Sequence, residues 1–494
     1  MEMSTDYSNI KLDLDLDFNM KIFEDIFKKD AAFRMRKIKA ENGMTFGLIY
    51  FDGMVNNSVI NESIVRPLVL AQQLPSGDKA VFVSQRVVYT GEVKELYIVS
   101  DIIRSILYGD ALILIEDCDK ALVVNAKGWR SRGISEPENE RILQGPREGF
   151  DEAGMFNLAM IRRKLQTPDF CVESMRIGSR TDTIVFVCYL GSLVDKGILA
   201  ELKRRLQKIS IDGVLDTNYI NEHIRDNKGS LFKTTGMTER PDIVVADLLE
   251  GRIAILVDGT PVVLTLPYLF SQNFQSDEDY YINYKMASVG RILRIICFLL
   301  SIVVPSLYLS LTTFHINLLP TSFALFLAEA RMGVPFSPAV ECVILIIIFE
   351  ILKEAGLRMP QSVGHALSIV GGLVVGQAAV EARIISAPML IAVALGGIAG
   401  LMLPRLKTAI FYCRISLSLL GAFLGIYGCV FGLVLILIHI FSISSFGVDY
   451  TQSIEKISFQ SFKDTVFRAP WTKMINRPKI QNNNIKRQID NEDI

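Results

Sequence analysis

Apolar residues are spread unevenly along this chain, and that asymmetry limits its fold more than any other feature. Between Ile292 and Phe441 charges are sparse and apolar runs are long, whereas residues 1–291 carry most of the Lys, Arg, Asp and Glu. A bilayer-spanning helix needs about 20 mostly apolar residues. Ile292–Thr312 meets that need, with Arg291 and Arg294 at its start and Pro305 inside. Val363–Val380 also qualifies, bounded by Glu381 and Arg383. Ala387–Leu403 is shorter and ends at Pro404 and Arg405, and Ala409–Phe441 is long enough for one span with an extended end. The expected fold is an aqueous α/β region followed by an all-α polytopic membrane domain over 281–441 and a cytoplasmic tail over 442–494.

A chain of 494 residues exceeds one ordinary domain. Its net charge of −1 gives no reason to expect nucleic acid as a partner. The seven cysteines (118, 171, 188, 297, 342, 413 and 429) form no C-x-x-C pair and are odd in number. That pattern fits reduced, buried thiols and not a disulfide framework. The four histidines are too dispersed for a metal site, and no cofactor is expected. The stretch Met1 to Phe18 is acidic and has no apolar core, which predicts no cleaved signal peptide and a cytoplasmic first region.

Within the aqueous part, residues 1–40 read as a tether with a short amphipathic helix. Ile22, Phe23, Ile26 and Phe27 lie at helical spacing, followed by the basic run Arg34, Arg36, Lys37 and Lys39. A solvated helix is preferred there over a membrane-surface one. The sequence then repeats at roughly 140 residues. FGLIYFDGMVNNSVINESIVR (46–66) and IVFVCYLGSLVDKGILAELKRR (184–205) both give an apolar strand, a Gly turn and a helical pattern. GDALILIEDCDKALVVNA (109–126) and GRIAILVDGTPVVLTL (251–266) both read as hairpins, each preceded by a helical stretch. Two similar α/β subdomains follow, at 41–127 and 169–280.

Between them, residues 128–168 hold Trp129, Ile142, Leu143 and Phe150 among mixed charges that include Arg141, Arg147 and Glu148. Gly145, Pro146 and Gly149 punctuate the segment. A solvated linker has no use for those apolar side chains, so an ordered, ion-paired docking segment is expected. Asp151 or Glu152 is placed to N-cap a helix through Met155–Leu165. No Walker loop, G-x-S-x-G elbow, H-E-x-x-H or dinucleotide fingerprint is found, so an enzyme is not expected.

In the apolar half, 338–356 is a short apolar run with three acids. Glu350 and Glu354 share a helix face, and Glu341 lies on the opposite one. Acids at membrane depth usually face a wet cavity or a partner. The segment is therefore either a pore or vestibule helix or a partial, interfacial one, with Glu354 in the headgroup zone. Four G-x-x-x-G pairs (Gly372/Gly376, Gly396/Gly400, Gly421/Gly425 and Gly428/Gly432) indicate close helix packing, between subunits or within one. Basic residues flank both the first span and the tail, which favours an even number of crossings; four fit if 338–356 is partial.

Several motifs are familiar in combination. EPENERILQGPREGFDE (136–152), NLAMIRRKL (157–165), PSLYLSLTTFH (305–315), GVPF (333–336), FEILKEAGLRMP (349–360), SIVGGLVVGQAAVEARIIS (368–386) and SFGVDY (445–450) occur in order. Over about residues 45–471 the chain resembles the A subunit of GerA-type spore germinant receptors, including the related SpoVAF-like spore membrane proteins. The resemblance implies a multi-pass protein of the spore inner membrane, with its N-terminal domain on the core side. It implies homo-oligomerisation into a channel for small ions, and partnership with a permease-like B subunit and a C subunit. Pore candidates on this reading are Glu341, Glu350, Val370, Val374 and Gln377. One departure is that Leu345–Ile348 is purely apolar, where many A subunits carry a further Glu. It points to a SpoVAF-like accessory channel as the alternative. A membrane-anchored scaffold and a transporter are the remaining readings, and no inverted repeat favours the transporter.

Overall fold

The computed structural model describes residues 7, 10–72, 77–128, 137, 140, 142, 144–358, 376–452, 464–474 and 477. The chain forms two compact units, one of residues 1–226, 235–267 and 476–494 and the other of 227–234 and 268–475.

The first unit holds two five-stranded antiparallel sheets. The first lobe runs α1 (Leu16–Phe27), β1 (Phe33–Lys39), β2 (Thr45–Phe51) and a π-helical turn (Val59–Val65) leading into α2 (Arg66–Val69). Next come α3 (Lys79–Phe82), running into a second π-helical turn (Val83–Val87), then β3 (Val93–Leu96), α4 (Val99–Leu107), β4 (Ala111–Ile115) and β5 (Ala121–Val124). The second lobe runs α5 (Gly154–Lys164), β6 (Phe170–Ile177), β7 (Thr183–Leu190), α6 (Lys196–Gln207) and α7 (Thr217–Ile224). It continues with β8 (Gly236–Thr238), α8 (Pro241–Leu249), β9 (Ile253–Val257) and β10 (Val263–Leu266). The strand orders, β1-β2-β4-β5-β3 and β6-β7-β9-β10-β8, are the same plan. The central strands β4 (ALILI) and β9 (IAILV) are buried at every position.

Several boundaries differ from the sequence reading. Helix α1 is not a solvated tether: capped by Asp15, it buries Leu16, Met20, Phe23 and Phe27 in the first lobe. The basic run after it is edge strand β1, paired with β2 from Phe33↔Phe51 to Lys39↔Thr45. Its charges point outward, which protects an edge from unwanted pairing. Helix α5 likewise opens the second lobe. Neither Asp151 nor Glu152 caps it. The cap residue is Ala153, and the Gly154 N–H donates to Asp258 Oδ1 at 2.9 Å, from the β9–β10 turn. Both helices are fixed by the same knot. Buried Asn19 accepts from the Asp13 N–H (2.9 Å) and donates to the Asp13 carbonyl (2.6 Å). Buried Asn157 does the same with Asp151, at 2.8 and 2.5 Å.

The second unit is helical: α9 (Tyr284–Thr313), α10 (Thr321–Ala330), α11 (Pro338–Arg358), α12 (Ala387–Leu401) and α13 (Lys407–Phe441). Tyr284–Thr313 and Pro404–Phe441 are long and apolar enough to cross a membrane. Helix α11 is continuous over 21 residues. The expected span 363–380 lies outside the described residues except for 376–380.

Helix α13 is not one extended span. Gly425 takes φ 63°, ψ −144°, outside helical geometry. In a straight helix residues 417 and 432 would lie roughly 22 Å apart. Here a Cβ on Gly432 would sit 2.6 Å from Leu417 Cδ2, and one on Gly421 would sit 3.0 Å from Cys429 Sγ. Ile440 shares a cluster with Leu406 and Ile410. The element is therefore a hairpin with antiparallel arms, 407–424 and 426–441, each roughly 25 Å long at 1.5 Å per residue. All seven cysteines are free and buried.

Candidate functional site

At the start of α9, charged groups that are distant in sequence meet in one collar. Arg291 is fully buried; its Nε donates to Asp279 Oδ2 (2.9 Å) and its Nη1 to Asp464 Oδ1 (3.0 Å). Arg294 grips both oxygens of Asp279, at 2.8 and 2.9 Å. Tyr280 donates to Asp464, and the Arg468 guanidinium lies against the rings of Tyr280 and Trp471. Arg405, just before α13, reaches Asp277 at 3.1 Å. Burial pushes the Asp279 carboxyl up, but Arg294 and Arg291 outweigh it and hold it below the ordinary carboxylate range. Residues 464–468 of the tail thus lie at the same end of this unit as the first turns of α9.

From that near end α9 runs to the far end of the bundle. The far end is marked by His315, beside which a Cβ on Gly425 would fall, 2.6 Å from Cε1. Helix α11 starts far: Glu341 Oε1 accepts from the Ser386 N–H and Oγ, each at 2.5 Å. It ends near, where Glu354 meets Lys407 at 3.2 Å. Helix α12 also starts far, after Ser386, and descends past Pro305 at Gly396 and Arg414 at Gly400. Helices α11 and α12 thus run the same way.

The polar groups inside this bundle are few. Glu341 is fully buried, and its second oxygen, Oε2, has no hydrogen-bond partner; neither does the Tyr308 hydroxyl. Arg414 is buried too and donates to the carbonyls of Ser301 and Gly396, both at 2.8 Å. Ser306 and Ser310 of α9 bracket Cys429 of the second hairpin arm. Glu350 is paired with Lys353 at 2.6 Å, one turn away on its own helix. Gln377 donates to Glu381 and is exposed. Val370, Val374 and Gly372 lie outside the described residues. Gly396 and Gly400 face Pro305 and Arg414, and Gly421, Gly425, Gly428 and Gly432 line the hairpin and its seat on α9, all within one chain. Gly376 is less crowded, with Leu390 at 3.5 Å.

In the first unit, the described part of the inter-lobe segment docks onto the second lobe. Glu140 accepts from Thr238 Oγ1 (2.6 Å) and the Glu239 N–H (3.0 Å), and the Pro146 carbonyl accepts from buried Arg240. The Phe150 N–H bonds the Glu239 carbonyl at 2.8 Å, and Glu148 pairs with Arg163 and Lys164. Arg147 is exposed, Gly145 takes φ 128°, and Gly149 is buried beside Phe150. Arg141 lies outside the described residues.

The joint between the lobes is held by a pair that sequence reasoning missed. Asp30, just after α1, bonds buried Arg162 on α5, whose guanidinium lies 4.1 Å from the Phe51 ring and 5.1 Å from that of Phe170. Backbone bonds Ala31 N–H to Val172 O (2.9 Å) and Val172 N–H to Lys29 O (3.0 Å) stitch the same place. Burial pushes the Asp30 carboxyl up against the pull of Arg162. One usable signal existed: the dipeptide Phe-Asn recurs at 18–19 and 156–157, marking α5 as the repeat of α1.

The chain is similar to several known proteins. The family model described as Bacillus/Clostridium GerA spore germination protein matches residues 20–480. Spore germination protein KA of Bacillus subtilis (strain 168) is 40% identical over 452 residues, covering 91% of this chain and 83% of that protein. An uncharacterized membrane protein, YfkQ, of the same organism is 38% identical over 447 residues, covering 90% and 86%. Spore germination protein GerLA of Bacillus cereus is 34% identical over 435 residues, covering 87% and 88%. The crystal structure of the N-terminal domain of the A subunit of the Bacillus megaterium spore germinant receptor GerK3 aligns with 53% of this chain and 98% of its own, at 30% identity and a TM-score of 0.43. Matched along nearly its whole length, the chain belongs to the GerA family of spore germination proteins.

Proposed function

We propose that this chain is an A-type subunit of a spore germination complex and oligomerises in the spore inner membrane around an ion path. Its partners on this reading are a permease-like B subunit and a C subunit. On this reading the helical unit crosses the bilayer six times: α9, α11, the apolar stretch 363–380 expected from its sequence, α12 and both hairpin arms. An even count leaves the aqueous lobes and the tail on one side, as the basic residues at both ends favour.

The observation that supports an ion path best is Glu341. A fully buried carboxyl with one oxygen unfilled, in the first turn of α11, is expensive unless it serves a cation, water or a partner. Glu350 is the weaker candidate because Lys353 already offsets its charge. The test is conductance of the purified full chain in planar bilayers. Cation current is expected, with its selectivity changed by Glu341→Gln and less so by Glu350→Gln. Unchanged selectivity in Glu341→Gln would remove that residue from the path. A silent wild-type protein would favour the scaffold reading. The apolar stretch Leu345–Ile348 keeps a SpoVAF-like accessory channel as the second reading.

A further inference from the structure

The two lobes share one plan, so each is a reference for the other, and they differ in the segment between their second and last strands in the sheet order. Between β7 and β8 the second lobe carries two regular helices, α6 and α7, closed over each other by Arg205. That side chain donates to Glu201 (2.7 Å), to the Ile224 carbonyl (2.5 Å) and to Asp226 (2.5 Å). The arginine of α6 thus finds its anion at the end of α7.

The first lobe has the same glutamate–arginine pair at the same spacing. Glu62 and Arg66 bond at 3.0 Å, roughly 140 residues before Glu201 and Arg205. The position that answers Asp226 falls at Val87 and Val88, which carry no acid. In place of that closure lies a half-open cavity of about 480 Å³ between the two helical stretches, within the usual range for small-molecule pockets. Glu62, Arg66, Arg86, Phe82, Val87 and Tyr89 line it.

Two more observations mark the cavity. Both walls are π-helical: the Arg66 N–H bonds the Asn61 carbonyl, and the Val88 N–H bonds the Val83 carbonyl at 3.0 Å. Such i→i+5 turns are rare and occur frequently at functional sites. Among the described residues the Arg86 side chain makes no hydrogen bond or ion pair, and the Arg66 side chain bonds Glu62 alone.

We infer that the first lobe binds a small organic acid in this cavity, whose carboxylate takes the place that Asp226 fills in the second lobe. Arg66 and Arg86 supply charge-assisted donors to that carboxylate. Phe82, Val87 and Tyr89 offer an apolar wall to its body, so an acid with an aromatic or branched group fits better than acetate. The cavity is a feature of the first lobe alone and requires no ion path in the helical unit.

The probe is 4-fluorobenzoate, observed by its fluorine resonance in the presence of the full chain in detergent. The wild-type protein should broaden the line. Arg86→Gln and Arg66→Gln, both at exposed positions, should weaken binding roughly tenfold or more, as expected for a lost charge-assisted bond. Arg204→Gln, which removes an exposed charge from α6 of the other lobe, should leave binding unchanged. Benzoate should displace the probe, and benzamide should not. Equal broadening in wild type, Arg86→Gln and Arg66→Gln, or no broadening at all, would overturn the assignment. Displacement by inorganic phosphate as good as by benzoate would also overturn it, reducing the site to a general anion patch.

Discussion

Arg162 is a single side chain on which two lobes depend. It is buried, its charge is answered by Asp30 from the other lobe, and its flat face lies between Phe51 and Phe170. Truncation to alanine would leave the Asp30 carboxyl buried and unpaired, a loss expected to cost about 3–5 kcal/mol. Arg147 lies in the densely charged segment between the lobes, where the sequence leads one to expect ion-paired docking. Being exposed, it should cost below about 1 kcal/mol on truncation. Thermal melts of the full chain in detergent with Arg162→Ala and Arg147→Ala would rank the two. Equal melting of both variants would refute the assignment. Arg162 was hard to find because its partner sits 132 residues away, and only the fold makes them neighbours.

At the scale of elements, strands and helices with a strong period were legible, and so was their recurrence. Central strands such as IAILV announce themselves by continuous apolar residues bounded by turn signals. The edges misled. A strand carrying Arg34, Arg36 and Lys37 reads as a solvated run because edge strands are decorated with charge. The hairpin was invisible for a different reason. Hydropathy is unbroken through Gly425, and the reversal lies in the sign of one φ angle that no apolar window records. The arms stay close because Gly421, Gly428 and Gly432 present no side chain between them. Gly432→Leu should therefore splay them, seen as a lower melting temperature and loss of assembled protein on native gels. Phe423→Leu, at a site 78% exposed, should do neither. A normally assembled Gly432→Leu protein would mean that the arms do not pack along this face.

For the whole molecule, the sequence supplied the division into aqueous and apolar halves and the expectation of an even number of crossings. On the proposed function that number rises from four to six, because α11 is a continuous 21-residue helix and the last long helix folds back at Gly425. Labelling from opposite faces of sealed vesicles tests the revised count. Tyr427 is 79% exposed beside the hairpin corner, and Met286 is 66% exposed in the first turn of α9. Tyr427→Cys and Met286→Cys should react with an impermeant maleimide from opposite sides. Reaction of both from one side would rule out a corner that reaches across.

Background in that experiment should be low, because every native thiol is already inside the protein. In the aqueous lobes burial also pushes the Cys171 thiol up to about 11 and raises Cys118, so little thiolate exists near neutral pH. An oxidant reaches sulfur only after the chain opens. Chemical ageing of this protein is therefore timed by how often it unfolds and not by the redox state around it, which suits a molecule stored intact until the moment it is used.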